Sequence, residues 1–132
     1  MIAKRKPPSV AQQAYQDRAR ALGCVVCLYR IAHGMQPASA GQCGDTHIHH
    51  RNFNDWHGAK QLGQDAVVAL GGWHHDGVIR EDYGSAEAMR EVFGPSFKHA
   101  TDFREWTYDV LPGMGRGTEA WQKFQNELLG EQ

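Results

Sequence analysis

Little in this chain invites a reading from charge or from a membrane. Its 132 residues carry 14 Lys and Arg against 15 Asp and Glu, a net charge of -1 with histidines neutral, so the global balance argues for no polyanion or polycation as partner. No apolar run approaches the roughly 20 residues that a bilayer crossing needs, which excludes a membrane span from the expectation. The 3 cysteines cannot all pair within one chain, so a disulfide framework is not expected. There is no internal repeat and no low-complexity tract. The basic opening Lys4-Arg5-Lys6-Pro7-Pro8 has neither the apolar stretch nor the small-residue cleavage site of a secretory signal, so a cytoplasmic address is expected. With 41% hydrophobic and 22% charged residues, the composition fits one globular domain, expected over residues 9–132 behind a flexible basic arm at 1–8.

What the chain does have is a concentration of metal-binding side chains. Cys24 and Cys27 are spaced C-x-x-C, His47, His49 and His50 follow, and His74-His75 forms a second adjacent pair. Thiolate and imidazole gathered in this way suit a transition metal, and the C-x-x-C lacks the strand-helix setting of a thioredoxin-type redox pair. Among the first thirty residues Lys4, Arg5, Lys6, Arg18, Arg20 and Arg30 face only Asp17, a local asymmetry that suits either a phosphate backbone or a solvated helix face.

Ser9 predicts the cap of a helix from Val10 to Leu22, with Gly23 as its stop. Cys24 to Leu28 reads as a short turn, a knuckle that lets both thiolates face one ion. The glycines and proline between His33 and Asp45 predict a loop, Asp45 to Arg51 a strand, and 52–64 an irregular connection. Ala66 to Leu70 is the clearest strand, ended by Gly71-Gly72, and Trp73 to Asp76 a helical turn or short loop. Helices are expected over Ala86–Phe93, Phe97–Val110 and Thr118–Leu129.

On a strand His49 and His50 point to opposite faces, and on a helical turn His74 and His75 diverge by about 100°, so each pair divides between two tasks. That pattern fits one closed site for folding and one open site for chemistry. An open metal site with a histidine base beside it suits phosphodiester hydrolysis. His33, His57 and His99 read as ordinary surface residues. Trp56, Trp73 and Trp106 read as packing residues, with Trp73 supporting the metal-bearing turn.

The ordered set Gly23-Cys24-Val25-Val26-Cys27, Ile48-His49-His50, Leu70-Gly71-Gly72-Trp73-His74-His75-Asp76-Gly77 and Gly94-Pro95-Ser96-Phe97, followed by Phe103, resembles the phage recombination enhancement (Ref) family of RecA-dependent nucleases. That family belongs to the HNH, or ββα-metal, endonucleases. The resemblance covers roughly residues 10 to 110. It implies an α+β fold with a ββα-metal core, an N-terminal helix and a C-terminal helical extension. It further implies DNA cleavage with His50 as general base, His49 and His75 on a catalytic divalent metal (magnesium, manganese or zinc), and Cys24, Cys27 and His74 on structural zinc. DNA, and by the resemblance a RecA filament, are the implied partners. The chain departs from the pattern twice. Gly71 stands where a cysteine is usual, which leaves Cys43 or His47 for the fourth structural position. The inner Asn or His of the motif falls at Gln64 to Ala66, where neither occurs. That second departure keeps open a zinc-stabilised nucleic-acid-binding module that does not cut.

Overall fold

The computed structural model describes residues 6–52, 55 and 60–130. Residues 1–5 of the expected arm lie outside the described residues, as do Trp56 and His57.

Helix α1 spans Val10–Leu22. Ser9 Oγ accepts from the Gln12 amide at 3.1 Å while Gln12 Oε1 accepts from the Ser9 amide at 2.9 Å, a reciprocal cap that satisfies two otherwise orphaned donors. Gly23, at φ 95° and ψ -171°, takes a positive-φ extended conformation that favours glycine and ends the helix. The expected turn over Cys24–Leu28 is instead helix α2, Val25–Ala32, with Cys24 as its N-cap. The two valines favour helix weakly, but Val25, Val26 and Cys27 are fully buried, and burial outweighs propensity. Cys27 therefore sits in the first turn, and both sulfurs project from one helix start.

Strand β1, Thr46–His50, pairs antiparallel with β2, Val67–Gly71, with Thr46 opposite Gly71 and His50 opposite Val67. Every residue of β2 is buried. The far edge of β2 is closed by a side chain from helix α6, Thr118–Leu129. Gln125 Oε1 accepts from the Ala69 amide at 2.8 Å and Gln125 Nε2 donates to the Val67 carbonyl at 3.1 Å, so one side-chain amide pairs as a third strand would. Asp55 fixes the start of α6, its carboxylate accepting from the Thr118 amide and hydroxyl.

Helix α3, Gly72–Asp76, follows β2 with no intervening loop and ends at Gly77 in the left-handed conformation. Helix α4 covers Ala86–Phe93 and α5 covers Ala100–Val110. Helix was expected from Phe97, but 97–99 turns back on α3, with the Phe97 amide donating to the His74 carbonyl at 2.8 Å. Trp73 is buried and donates its indole N–H to the Gly94 carbonyl at 2.9 Å, while Ser96 Oγ donates to the Trp73 carbonyl at 2.5 Å. These bonds clamp the histidine-bearing helix. Trp106 is half-buried and stacks on Trp121, with centroids 5.5 Å apart.

Arg30 does not join a basic surface. It is buried, donating to Gln36 Oε1 and to the Met35 and Val92 carbonyls, with its guanidinium over the Trp106 ring. The architecture is mixed α+β, with α1 to α6 and one two-stranded antiparallel sheet among the described residues. No described helix is long and apolar enough to cross a membrane.

Candidate metal centres

Cys24, Cys27, Cys43 and His74 converge in a fully buried group. His74 Nδ1 lies 3.3 Å from Cys24 Sγ, 3.6 Å from Cys27 Sγ and 3.1 Å from Cys43 Sγ, and the Cys43 and Cys24 sulfurs are 3.9 Å apart. A tetrahedral zinc site with Zn–S near 2.3 Å places sulfurs about 3.8 Å from one another and imidazole nitrogen about 3.5 Å from each sulfur. The donor spacing fits such an ion. Of the two sequence candidates for the fourth position, Cys43 completes this group.

The tautomer of His74 fits as well. Its Nε2 lies 2.7 Å from the Phe93 carbonyl oxygen, which can only accept, so Nε2 carries a proton and Nδ1 is the ring atom turned to the sulfurs, the one that would give up its proton to ligate an ion. The loop bearing Cys43 is fixed by Arg80, which donates to the Ala40 and Gln42 carbonyls at 2.9 and 3.0 Å. Gln42 Oε1 in turn accepts from the Cys24 amide at 2.6 Å.

Burial pushes the Cys24 thiol up, but hydrogen bonds from Cys27 and Cys43 and the charge of His74 outweigh it and hold Cys24 well below its ordinary range. Burial likewise opposes charge on His74, yet the Cys24 thiolate beside it raises His74 to about 10. Cys43 is pushed up by its hydrogen bonds to Cys24 and Cys27, and then by burial. The pocket thus favours a negative sulfur against a positive partner, the balance that a bound cation satisfies.

A second, more open group lies across β1 and α3. His47 Nδ1 and His75 Nδ1 are 3.0 Å apart, and Asp76 Oδ2 lies 3.3 Å from His75 Nδ1. Strand alternation puts His47 and His49 on one face, so His47 meets His75 here and takes no part in the buried group. The His49 ring stands edge-on to His75 at 5.1 Å and to Phe97 at 4.9 Å. Burial first, then the charges of His75 and His50, bring His49 down to about 4. Burial also lowers His75, against the pull of Asp76 and assisted by His47. Neutral imidazoles are the metal-binding form. A cleft of about 460 Å³ opens over the His75 and Asp76 side of this group, lined by His49, Asn52, Asp55, His75, Asp76, Phe97, Lys98 and Ala100.

His50 ends β1 on the opposite face, with Nε2 at 2.9 Å from Gln64 Oε1. Gln64 opens the segment where the resemblance expects an Asn or His. Two residues of these sites were not singled out from sequence. Asp76 had only its adjacency to His74-His75 as a signal, and Gln64 had none in its local pattern. His33 and His99 are exposed, as expected of surface residues. Comparison with known proteins adds nothing to this geometry, since no family model, curated protein or solved structure matches the chain.

Proposed function

We propose that the protein is a metal-dependent DNA endonuclease in which β1, β2 and α3 form a ββα-metal core. The observation that carries this reading is the second donor group, half-buried His47 and His75 with the exposed Asp76, of which His75 and Asp76 line an open cleft, set apart from the closed Cys24, Cys27, Cys43 and His74 group. A structural zinc needs one set of ligands, and a second set that faces solvent suits chemistry.

His47, His75 and Asp76 are the residues that would hold a catalytic cation, with His49 on the adjoining cleft wall. When bound there, a divalent ion, magnesium, manganese or zinc, would supply Lewis acidity for phosphodiester cleavage. His50 takes a proton from the attacking water. It is the neighbour of His49 in β1, with its ring on the other face of the strand, and the base role comes to it from the resemblance. Lys98 adds a positive charge at the cleft rim for a phosphate. The resemblance to the Ref nucleases adds DNA as the substrate and a RecA filament as the partner.

The test is nicking of supercoiled plasmid with added magnesium, manganese or zinc, comparing the intact chain with His50→Ala and His75→Ala. Cleavage by the intact chain and its loss in both variants, with zinc content unchanged, is the expected result. Retained DNA binding with no cleavage under any of the three ions would overturn the reading in favour of a zinc-stabilised binding module.

A further inference from the structure

Gln64 joins three parts of the molecule through one side chain. Its Nε2 donates to the Lys6 carbonyl at 2.6 Å, and its Oε1 lies 3.0 Å from Gln16 Nε2 and 2.9 Å from His50 Nε2. Gln16 is buried in α1, and the same Nε2 also donates to the Gln64 backbone carbonyl at 2.9 Å.

These contacts settle which end of the Gln64 amide faces His50. The Lys6 carbonyl can only accept, so the NH₂ end must point to it. The Gln16 amide nitrogen can only donate, so the carbonyl end must point back to α1. A flipped amide would set oxygen against oxygen at Lys6 and NH₂ against NH₂ at Gln16. The two neighbours therefore agree on one orientation, and in that orientation an acceptor faces His50 Nε2. His50 must then carry its proton on Nε2, which leaves the Nδ1 lone pair as its basic atom.

We infer that Gln64 is the positioning residue of His50, fixing its ring and its Nε2–H tautomer so that Nδ1 is the atom that receives the proton from water. A base is effective only when its lone pair is aimed, and an imidazole without a partner exchanges tautomers and rotates about χ2. The chain thereby uses a glutamine, held from α1 and from residue 6, to orient the base. The inference rests on the nuclease reading for the purpose of the proton transfer, but the hydrogen bond and the tautomer do not.

The experiment uses the full, zinc-loaded chain labelled with ¹⁵N at histidine, read by long-range ¹H–¹⁵N correlation above the usual imidazole titration range. His50 is assigned by its loss in His50→Ala. The intact chain should show a pyrrole-like Nε2 and a pyridine-like Nδ1 for His50. Gln64→Leu should move both nitrogens toward averaged values and leave His74 unchanged. Gln64→Glu, which keeps the acceptor, should restore the Nε2–H pattern. In plasmid nicking, Gln64→Leu should slow turnover at saturating DNA by at least about tenfold, with the half-saturating DNA concentration unaltered, as expected for a misaimed base. An Nδ1–H tautomer in the intact chain, or unchanged His50 shifts in Gln64→Leu, overturns the inference. Absence of nicking by the intact chain overturns the nuclease reading, and the ¹⁵N spectra still decide the role of Gln64.

Discussion

The β-carbon that Gly71 lacks would stand 2.5 Å from Cys43 Sγ, so the sulfur of Cys43 occupies the space into which a side chain at residue 71 would grow. The resemblance places a cysteine at residue 71, and this chain reaches the same pocket from the loop before β1. Cys43→Ala should therefore lose the zinc that survives dialysis and much of the folded state with it, since the ion's binding free energy stabilises the fold. Adding Gly71→Cys to Cys43→Ala should return near-stoichiometric zinc and cooperative unfolding. Gly71→Ala alone should cost about 1–3 kcal/mol by crowding Cys43. Elemental analysis and urea titration check all three, and a double variant that stays zinc-free would show that the two positions are not interchangeable.

Gln125 carries a comparable dependence at the other edge of the sheet. It is fully buried and meets the Ala69 amide and the Val67 carbonyl, and its Nε2 also donates to Tyr15 Oη at 2.9 Å. Gln125→Leu leaves a buried backbone donor and acceptor without partners, each costing about 1–3 kcal/mol. A net loss of about 2–4 kcal/mol, read from denaturant midpoints at unchanged slope, is expected. Gln122→Leu, on the half-buried part of α6, should cost less because its partners, the Asp65 carbonyl, Arg51 Nη1 and Tyr15 Oη, lie nearer solvent than the β2 backbone.

His49 makes stability depend on pH in a defined direction. Its folded pKa is lowered to about 4 from an ordinary 6.5, so the folded chain favours the neutral ring. The unfolded chain binds the proton more readily, and stability falls as acidity increases. The His49 contribution is complete above pH 6.5 and is lost as pH drops through the window from 6.5 to 4. The loss is at most a few kcal/mol, because part of the ring remains open to solvent. With structural zinc bound and no other divalent ion added, the denaturation midpoint should decline across that window, and His49→Gln should flatten the decline. An equal slope in both chains would remove His49 as its source.

The cap at Ser9, the alternation of β1 and the glycine stops were legible in the sequence because they are local. Each depends on residues within a few positions of one another. The C-x-x-C spacing of Cys24 and Cys27 was legible for the same reason, whereas His74 came to the closed site through the resemblance and the choice between Cys43 and His47 stayed open. Helix α2 was hidden because its stability comes from burying Val25, Val26 and Cys27 against distant elements, which no window around Cys24 displays. The separation of Cys43 from His47 depended on how the loop fixed by Arg80 enters β1. Arg30 looked like surface charge because two of the partners that bury it, Val92 and Trp106, lie more than sixty residues away. Gln64 and Gln125 were hidden for the same reason. A glutamine has no pattern of its own, and only the fold shows which backbone or ring it meets.

Lys98 offers the test of how the cleft meets a phosphate backbone. Its aliphatic stem lies along Gly77, where a β-carbon would come 2.8 Å from Lys98 Cδ, and Gly77 at φ 68° is already the left-handed end of α3. The stem is thus guided across the end of the histidine-bearing helix to the cleft wall shared with His75 and Asp76. Lys98→Met preserves the stem and removes the charge. If the ammonium neutralises one phosphate, the half-saturating DNA concentration should rise about three- to tenfold at moderate salt, and the slope of log affinity against log salt should become shallower by about one. Zinc content and the unfolding midpoint should stay as they are, because Lys98 is exposed and belongs to neither donor group. Unaltered affinity and an unaltered salt slope would place the DNA backbone elsewhere on the surface.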